Sequence, residues 1–274
     1  MSLTAERVAT VDPVWSLLRT GATAVAATEP ALASFVHATI LNHERLEGAL
    51  SYHLASKLGG EEASAMMLRE VFEDTFAQSP QIGEAVRADL SAVVERDPAA
   101  QGFVQPFLFY KGFLALQAYR ITHYLWGRGR TAMAVFLQNK ISEVFGVDIH
   151  PAARIGRGVM IDHGTGVVIG ETAVVEDDVS MLQGVTLGGT GKERGDRHPK
   201  IRRGVMIGAG ATILGNVIVG EYSRIGAGAV VVTAVPARST MVGVPAKVSG
   251  CAGCDKPSHE MNQMIEAPAD DYVI

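Results

Sequence analysis

The sequence predicts a protein in two parts, an N-terminal all-α helical domain followed by a parallel β-helix of hexapeptide repeats. The first indication is the distribution of glycine, because ten of the 30 glycines lie in residues 1–148 and nineteen in residues 149–250. The second is a change of period, since aliphatic residues recur every six positions from Ile149 onward. Such a period is typical of a solenoid in which each repeat contacts only its neighbours.

The first part carries start and stop signals of helices. At three places in the sequence, a proline occupies the expected first turn of a helix. These are Asp12-Pro13, Glu29-Pro30 and Ser79-Pro80. The pair Gly59-Gly60 predicts a break between helices. In residues 107–126, Leu114, Ala118, Ile121 and Leu125 follow the spacing of a buried helix face, and the aromatic residues around them are interpreted as core.

Thirteen aliphatic anchors define the repeat of the second part. They are Ile149, Ile155, Ile161, Ile169, Val175, Met181, Leu187, Ile201, Ile207, Ile213, Val219, Ile225 and Val231. The residue four positions after an anchor is usually small or β-branched, as at Ala153 and Thr165, and both positions are expected to point inward. With one hexapeptide on each of three faces, the anchors predict about four coils and a stack roughly 20 Å tall.

Two irregular steps interrupt the repeat. The step from Ile161 to Ile169 is eight residues, and the step from Leu187 to Ile201 is fourteen, which predicts a protruding loop over residues 188–200. The loop is rich in charged residues, whereas the rest of this part is poor in them. Because insertions in a solenoid form loops that often carry binding residues, we expect function on this face.

Composition disfavours several classes of protein. A net charge of −5 and a pI near 5.9 argue against a nucleic-acid-binding protein. No uncharged apolar run reaches the ~18 residues of a membrane span. The N-terminus lacks the pattern of a signal peptide, so we expect a cytoplasmic protein. The two cysteines, Cys251 and Cys254, are too few for a disulfide framework or for a tetrahedral zinc site.

Three segments follow from these observations. Residues 1–147 are the predicted helical domain, residues 148–250 the β-helix domain, and residues 251–274 a flexible tail. The tail loses the repeat and contains acidic and small residues, so disorder is expected from about Pro257.

Both parts of the chain contain specific motifs. They are Glu95-Arg96-Asp97-Pro98-Ala99, Tyr110-Lys111-Gly112-Phe113, Asp148-Ile149-His150-Pro151, Asp162-His163-Gly164-Thr165-Gly166, Gly195-Asp196-Arg197-His198-Pro199-Lys200 and Gly243-Val244-Pro245-Ala246. Together they resemble the motifs of the serine O-acetyltransferases, a family of hexapeptide-repeat acyltransferases. Hexapeptides alone are shared by many acyltransferases, but the Asp97-Pro98 segment and the loop around Arg197 narrow the match to the serine enzymes. Glu95 departs from the family, in which many members carry Asp.

The resemblance implies an activity and an assembly. The expected reaction transfers acetyl from acetyl-CoA to the hydroxyl of L-serine, giving O-acetyl-L-serine and CoA, the first step of cysteine biosynthesis. It also implies a left-handed coil, trimers with active sites between neighbouring β-helices, and hexamers in which two trimers meet through their helical domains. No metal is expected.

The resemblance also implies roles for individual residues. His163 would be the general base, for which an imidazole is chemically suited near neutral pH, and Asp148 would be its partner carboxylate. Asp97 and Asp162 would hold the ammonium group of serine, and Arg197 and His198 its carboxylate. The remaining residues, which would line the path of the pantetheine arm of CoA, are Gly189, Thr190, Ala209 and Ala227.

Two further interactions are implied for the whole chain. The C-terminal Ile274 would insert into the active site of O-acetylserine sulfhydrylase. L-Cysteine would inhibit by competing for the serine pocket, since it differs from serine only in its thiol.

Three other functions are weighed against this one. Another hexapeptide acyltransferase would act on homoserine, a sugar or an antibiotic, but the long helical domain with Asp97-Pro98 argues against it. A zinc enzyme of the γ-carbonic anhydrase type would use His150, His163 and His198 as ligands across a trimer interface. A non-catalytic scaffold would only bind the sulfhydrylase, which the intact pair of Asp148 and His163 disfavours.

Overall fold

The computed structural model describes residues 12–191 and 194–262 and confirms the predicted fold class, helices followed by a parallel β-solenoid. The described helices are α1 (Pro13–Thr28), α2 (Pro30–Val36), α3 (Leu46–Leu58), α4 (Ala65–Gln78), α5 (Pro80–Arg96), α6 (Val104–Phe109), α7 (Lys111–Gly127), α8 (Thr131–Phe145) and α9 (Pro257–Glu260), with a π-helical segment at His37–Leu41. None of these described helices is long and apolar enough to cross a membrane.

The strands are short, as a coil with three faces requires. They are β1 (Val147–Ile149), β2 (Arg154–Ile155), β3 (Met160–Ile161), β4 (Val167–Ile169), β5 (Val174–Val175), β6 (Ser180–Met181), β7 (Thr186–Gly188), β8 (Lys200–Ile201), β9 (Met206–Ile207), β10 (Thr212–Leu214), β11 (Ile218–Val219), β12 (Arg224–Ile225), β13 (Val230–Val231), β14 (Ser239–Gly243) and β15 (Ala246–Cys251).

Proline and glycine define the helix boundaries as predicted. Helices α1, α2 and α5 begin at the three predicted prolines, and α3 ends at Leu58, just before the glycine pair. Asp12 caps α1, since its carboxylate accepts a 3.1 Å hydrogen bond from the backbone N of Trp15. The segment 107–126 belongs to two helices rather than one, because Tyr110 is extended (φ −81°, ψ 103°) between α6 and α7.

Three parallel sheets form the faces of the solenoid. Face A contains β1, β4, β7, β10 and β13, face B contains β2, β5, β8 and β11, and face C contains β3, β6, β9, β12 and β14. On face A the anchors stand in register, Ile149 beside Ile169, Ile169 beside Leu187, and Leu187 beside Ile213. The anchors are buried apart from Ile155, which is half-buried, so the six-residue period marks the core as predicted.

The solenoid departs from the predicted repeat in two ways. Thr165 is exposed rather than inward, because the eight-residue step lets residues 162–166 bulge outward, and Val167 occupies the buried place at the start of β4. The stack is also longer than predicted. The six-residue period ends at Val231, yet β14 still pairs in parallel with β12, so the parallel strands complete about five turns. Strand β15 then runs antiparallel to β14.

The segment after the solenoid is more structured than the sequence predicts. The prediction of disorder from Pro257 is wrong for residues 257–262. Pro257 and Ser258 are buried, and α9 packs against α5 and β9. The periodicity could not reveal this packing, because the partners of the segment lie far away in the sequence. Ile274 and the rest of residues 263–274 lie outside the described residues.

Polar side chains of the helical part satisfy the backbone of the first coil. Asp89 and Arg120 form a buried ion pair of 2.7 Å between α5 and α7. Asp89 also accepts a 3.0 Å hydrogen bond from the backbone N of Val159, and Arg120 donates one of 2.6 Å to the carbonyl of Gly156. Further hydrogen bonds to this coil run from Tyr119 to Ala153 O (2.5 Å) and from Arg96 to Gly158 O (2.9 Å).

Helix α7 packs closely against the solenoid at Gly112. A Cβ atom on Gly112 would lie only 2.0 Å from the carbonyl oxygen of Ile161, and a Cβ atom on Gly164 would lie 3.0 Å from the Cα of Gly112. The start of α7 therefore rests directly on the turn that joins face C to face A.

Replacing Gly112 with alanine is expected to displace the start of α7 from the solenoid. Overpacking of this kind usually costs roughly 1–3 kcal/mol, which urea denaturation would measure as a lower free energy of unfolding. Gly127→Ala, in the last turn of the same helix, is the matched control, because nothing lies within 4 Å of a Cβ there. Equal stability of the two variants would contradict the close packing at Gly112.

Candidate active site

A pocket of about 360 Å³ lies where the start of α7 meets the solenoid. Its lining includes Asp97, Tyr110, Lys111, Asp162 and His163. The first comes from the end of α5, the next two from the start of α7, and the last two from the turn after β3. The structure thus brings together three of the residues that the sequence predicts for the site, Asp97, Asp162 and His163.

His163 is presented by an unusual turn. It has a positive φ of 56°, and the following Gly164 has a φ of 78°. A left-handed backbone is rare for residues with a side chain and is often found at functional sites. The His163 side chain is 74% exposed and projects from the coil, with its Nε2 atom 3.8 Å from the Asp162 carboxylate. The imidazole can therefore contact a ligand in the pocket.

Two carboxylates share the pocket. Burial raises the pKa of Asp162; His163 counteracts this shift, and the negative charge of Asp97 adds to it. Asp97 accepts a 2.8 Å hydrogen bond from the backbone N of Ala99, which fixes its orientation. Burial also raises the pKa of Tyr110, and so does its hydrogen bond to Asp97. A cation bound between the carboxylates of Asp97 and Asp162 is stabilised by both negative charges, so this pocket suits an ammonium group.

Tyr110 and Lys111 also line the pocket, although the sequence did not predict a role for either residue. Lys111 donates a hydrogen bond to the hydroxyl of Thr165, the residue that the outward bulge exposes. The signal for these two residues in the sequence is the Tyr110-Lys111-Gly112 motif, which contributes to the family resemblance.

Asp148 lies near this turn but is not in contact with His163. It stands in the middle of β1, which pairs with β4, the strand that follows the His163 turn. Its carboxylate accepts a 2.7 Å hydrogen bond from Gln138 on α8. In the part of the chain that the structure describes, no hydrogen bond or ion pair joins Asp148 to His163.

Arg197 and His198 lie at a different corner of the solenoid. They belong to the protruding loop between β7 and β8, which leaves the solenoid between faces A and B, whereas His163 lies between faces C and A. Arg197 forms a 2.7 Å ion pair with Glu171. The backbone N atoms of Arg197 and His198 donate to the hydroxyl of Thr172, at 3.0 and 3.1 Å. Glu171 and Thr172 were not predicted from the sequence, since nothing in their spacing marks them.

The ring of His198 is packed into the previous turn. A Cβ atom on Gly170 would lie 2.1 Å from the His198 ring, so the glycine makes room for the imidazole. Burial and the nearby Arg197 lower the pKa of His198, which favours a neutral ring. The hydroxyl of Thr172 lies 2.9 Å from Nδ1 of the His198 ring, so Nε2 is the ring nitrogen outside this contact.

The four residues predicted for CoA binding divide between the same two corners. Gly189 and Thr190 open the protruding loop, whereas Ala209 and Ala227 lie in turns stacked on the His163 turn. Backbone hydrogen bonds connect these stacked turns. They run from Gly166 to Gly146 (2.7 Å), Gly184 to Thr165 (2.8 Å), Gly210 to Gln183 (2.9 Å) and Gly228 to Ala209 (2.8 Å). The result is a column of small residues that leads away from the pocket.

The three histidines of the zinc hypothesis are not gathered within one chain. Across residues 12–191 and 194–262, no three His, Cys, Asp or Glu side chains are grouped so as to hold a metal ion. His150 uses its Nδ1 atom to accept a 3.0 Å hydrogen bond from the backbone of Ala152 and packs edge-on against Trp126. Both cysteines are free thiols.

Two sequence families match the chain. The family described as "Serine acetyltransferase, N-terminal" matches residues 14–118, and the family "Bacterial transferase hexapeptide (six repeats)" matches residues 198–233. The serine acetyltransferase of Salmonella typhimurium is 58% identical over 253 residues, which are 92% of this chain and 93% of that protein.

Solved structures agree with these matches. A serine acetyltransferase in complex with cysteine has a TM-score of 0.91 and 55% identity, over 92% of this chain and 98% of that chain. The serine acetyltransferase of Brucella abortus in complex with coenzyme A has a TM-score of 0.88 and 50% identity, over 89% of this chain and 98% of that chain. Since both parts of the fold match at this level of identity, the chain belongs to the serine acetyltransferase family.

Proposed function

We propose that this enzyme transfers acetyl from acetyl-CoA to the hydroxyl of L-serine by direct attack in a ternary complex, with His163 as the general base. The observation that carries the proposal is the pocket shared by His163, Asp97 and Asp162. It offers a titratable nitrogen beside two carboxylates, which is what the deprotonation of an amino-acid hydroxyl next to an ammonium group requires. The relative solved with coenzyme A supports the acyl donor.

The reaction needs one proton to move twice. His163 accepts the proton of the serine hydroxyl as its oxygen attacks the thioester carbonyl. The tetrahedral intermediate then expels the CoA sulfur, which takes the proton back from the imidazolium. Neither cysteine is needed as a nucleophile, because the serine oxygen attacks directly.

The ammonium group of serine would lie between Asp97 and Asp162. Burial raises the pKa of Asp162 and the charge of Asp97 adds to this shift. A cation between the two carboxylates offsets their repulsion, so binding is favoured electrostatically. Asp148 is proposed as the carboxylate that stabilises the imidazolium form of His163. It is held on β1, the strand that pairs with the one following the His163 turn.

The split of the site between two corners supports a homotrimer. His163 lies at one edge of face A and Arg197 at the other. If three chains pack side by side, the protruding loop of one chain meets the His163 turn of its neighbour. Arg197 and His198 would then hold the carboxylate of a serine whose ammonium lies between Asp97 and Asp162 of the next chain. The pantetheine arm would lie between the column of small residues on one chain and Gly189 and Thr190 of the next chain. A pair of trimers joined through their helices would form the proposed hexamer.

L-Cysteine is the proposed feedback inhibitor of the same pocket. It carries the same ammonium and carboxylate groups as serine, so the same residues can hold it. The relative solved in complex with cysteine supports this proposal.

The His163→Ala variant tests the base. A general base contributes about 10²- to 10⁴-fold, so we expect kcat to fall by at least that factor in an assay of free CoA release with L-serine. Binding of acetyl-CoA, measured by calorimetry, is expected to persist. His123→Ala is the matched control, because that imidazole lies on α7 outside the pocket. Full activity of His163→Ala would refute the mechanism.

Mixing of two inactive variants tests the shared site. His163→Ala and Arg197→Ala chains, unfolded together in equal amounts and refolded, are expected to regain about one quarter of wild-type activity. Random assembly makes about three quarters of the trimers mixed, and each mixed trimer holds one intact site of three. Each variant refolded alone is the control. No recovery after mixing, with mixed trimers confirmed by mass spectrometry, would place the two residues in one chain's site.

The C-terminal residue is proposed to bind O-acetylserine sulfhydrylase, and this expectation concerns Ile274, outside the described residues. A chain that ends at Val273 is expected to bind that enzyme more weakly, as measured by calorimetry, because the inserted residue would be Ile274, and the shorter chain places the smaller valine and its carboxylate one residue earlier. Val273→Ala in the full-length chain is the control. Equal affinity with and without Ile274 would exclude this mode of binding.

A further inference from the structure

A short C-terminal segment covers the end of helix α5, next to the proposed serine site. This segment, residues 257–262, is called the strap here. Its helix α9 packs against α5, and Pro257 and Ser258 are buried. The α5 residue beneath it is Arg96, which directly precedes Asp97, the proposed ligand of the ammonium group.

Arg96 is a buried charge with a limited set of partners. Its side chain is 2% exposed. Nη1 donates to the carbonyl of Gly158 at 2.9 Å and to the hydroxyl of Ser180 at 3.1 Å, and Nη2 lies 3.6 Å from Asp178. Within the described residues, the Nε atom has no hydrogen-bond partner. Because a buried guanidinium needs its remaining hydrogen bonds, the loss of one is expected to move the side chain.

The strap supplies contacts to this guanidinium. His259 Nε2 lies 3.2 Å from Arg96 Nη2. Since a guanidinium is only a donor, Nε2 must be the acceptor, and the ring must be neutral. The hydroxyl of Ser180, which accepts from Arg96, in turn donates a 2.8 Å hydrogen bond to the carbonyl of Ser258. The strap therefore touches Arg96 once directly and once through Ser180.

Arg96 is the last residue of α5 and is anchored to the solenoid. Its bond to the Gly158 carbonyl ties the last turn of the helix to the first coil. Asp97 follows as the extended capping residue, with its backbone N still bonded to the carbonyl of Val93 at 2.9 Å. A shift of Arg96 is thus transmitted through one peptide unit to the carboxylate that faces Asp162 across the pocket.

We propose that His259 is a positioning residue for the serine site: by accepting from Arg96 it holds the end of α5, and with it Asp97, at the distance that binds the serine ammonium. This inference rests on the role of Asp97 in the proposed function. It assigns the strap a part in substrate binding in addition to packing.

Steady-state kinetics of the full-length enzyme test the inference. His259→Ala removes the acceptor, and Ser180→Ala removes the second link without adding bulk. Each is expected to raise the KM for L-serine about 3- to 10-fold, the range of one hydrogen bond, and to leave the KM for acetyl-CoA unchanged. His259→Gln keeps an acceptor and is expected to restore most of the serine affinity. Lys256→Ala, an exposed position just before the strap, is the matched control.

Asp97→Asn in the same assay separates the possible failures. If it raises the KM for serine while His259→Ala and Ser180→Ala do not, the positioning role is wrong and the proposed ammonium site stands. If Asp97→Asn leaves the KM for serine unchanged, the ammonium site and the inference both fail. If His259→Ala lowers kcat without changing either KM, or if Gln fails to rescue, the strap only packs, and the inference is again overturned.

Discussion

The open edge of the first coil is the constraint on which the rest of the structure depends. A parallel β-helix has a first turn whose backbone donors and acceptors find no partner in a preceding turn, and such groups must be paired if they are buried. Here α5 and α7 provide the partners from side chains. Asp89 accepts from the N–H of Val159, and Arg120 and Tyr119 donate to carbonyls of the same coil. Because Asp89 is fully buried, removing Arg120 alone would leave an uncompensated charge, which typically costs about 3–5 kcal/mol.

The catalytic geometry follows from this junction. Residues that bond to or pack against the first coil are next in sequence to residues that line the pocket. Arg96, which donates to the Gly158 carbonyl, precedes Asp97. Gly112, which packs closely against the carbonyl of Ile161, follows Lys111. The helical part therefore brings a carboxylate to a turn of the solenoid that already carries Asp162 and His163. The other half of the proposed pocket lies across face A on the protruding loop, where Thr172 holds Arg197 and His198.

The sequence predicted the features that depend on local backbone rules. Period six identified the buried anchors, and proline marked the starts of α1, α2 and α5. It predicted the grouping of Asp97 with His163 only through the resemblance, since no spacing connects residues so far apart. The outward Thr165, the extended Tyr110 and the buried Ser258 were not predicted, because each depends on a contact with another part of the chain. The hydrogen bond between Gln138 and Asp148 was missed for the same reason.

The far end of the solenoid differs from the near end in a way that bears on solubility. A stack of parallel strands can in principle continue into another molecule, since its last turn exposes the same pattern of donors and acceptors as every turn before it. Strand β15 folds back antiparallel over β14, with an irregular register near Met241, and covers the edge of face C. The chain thereby ends its own parallel ladder on that face, and the antiparallel strand opposes end-to-end stacking of a second β-helix there.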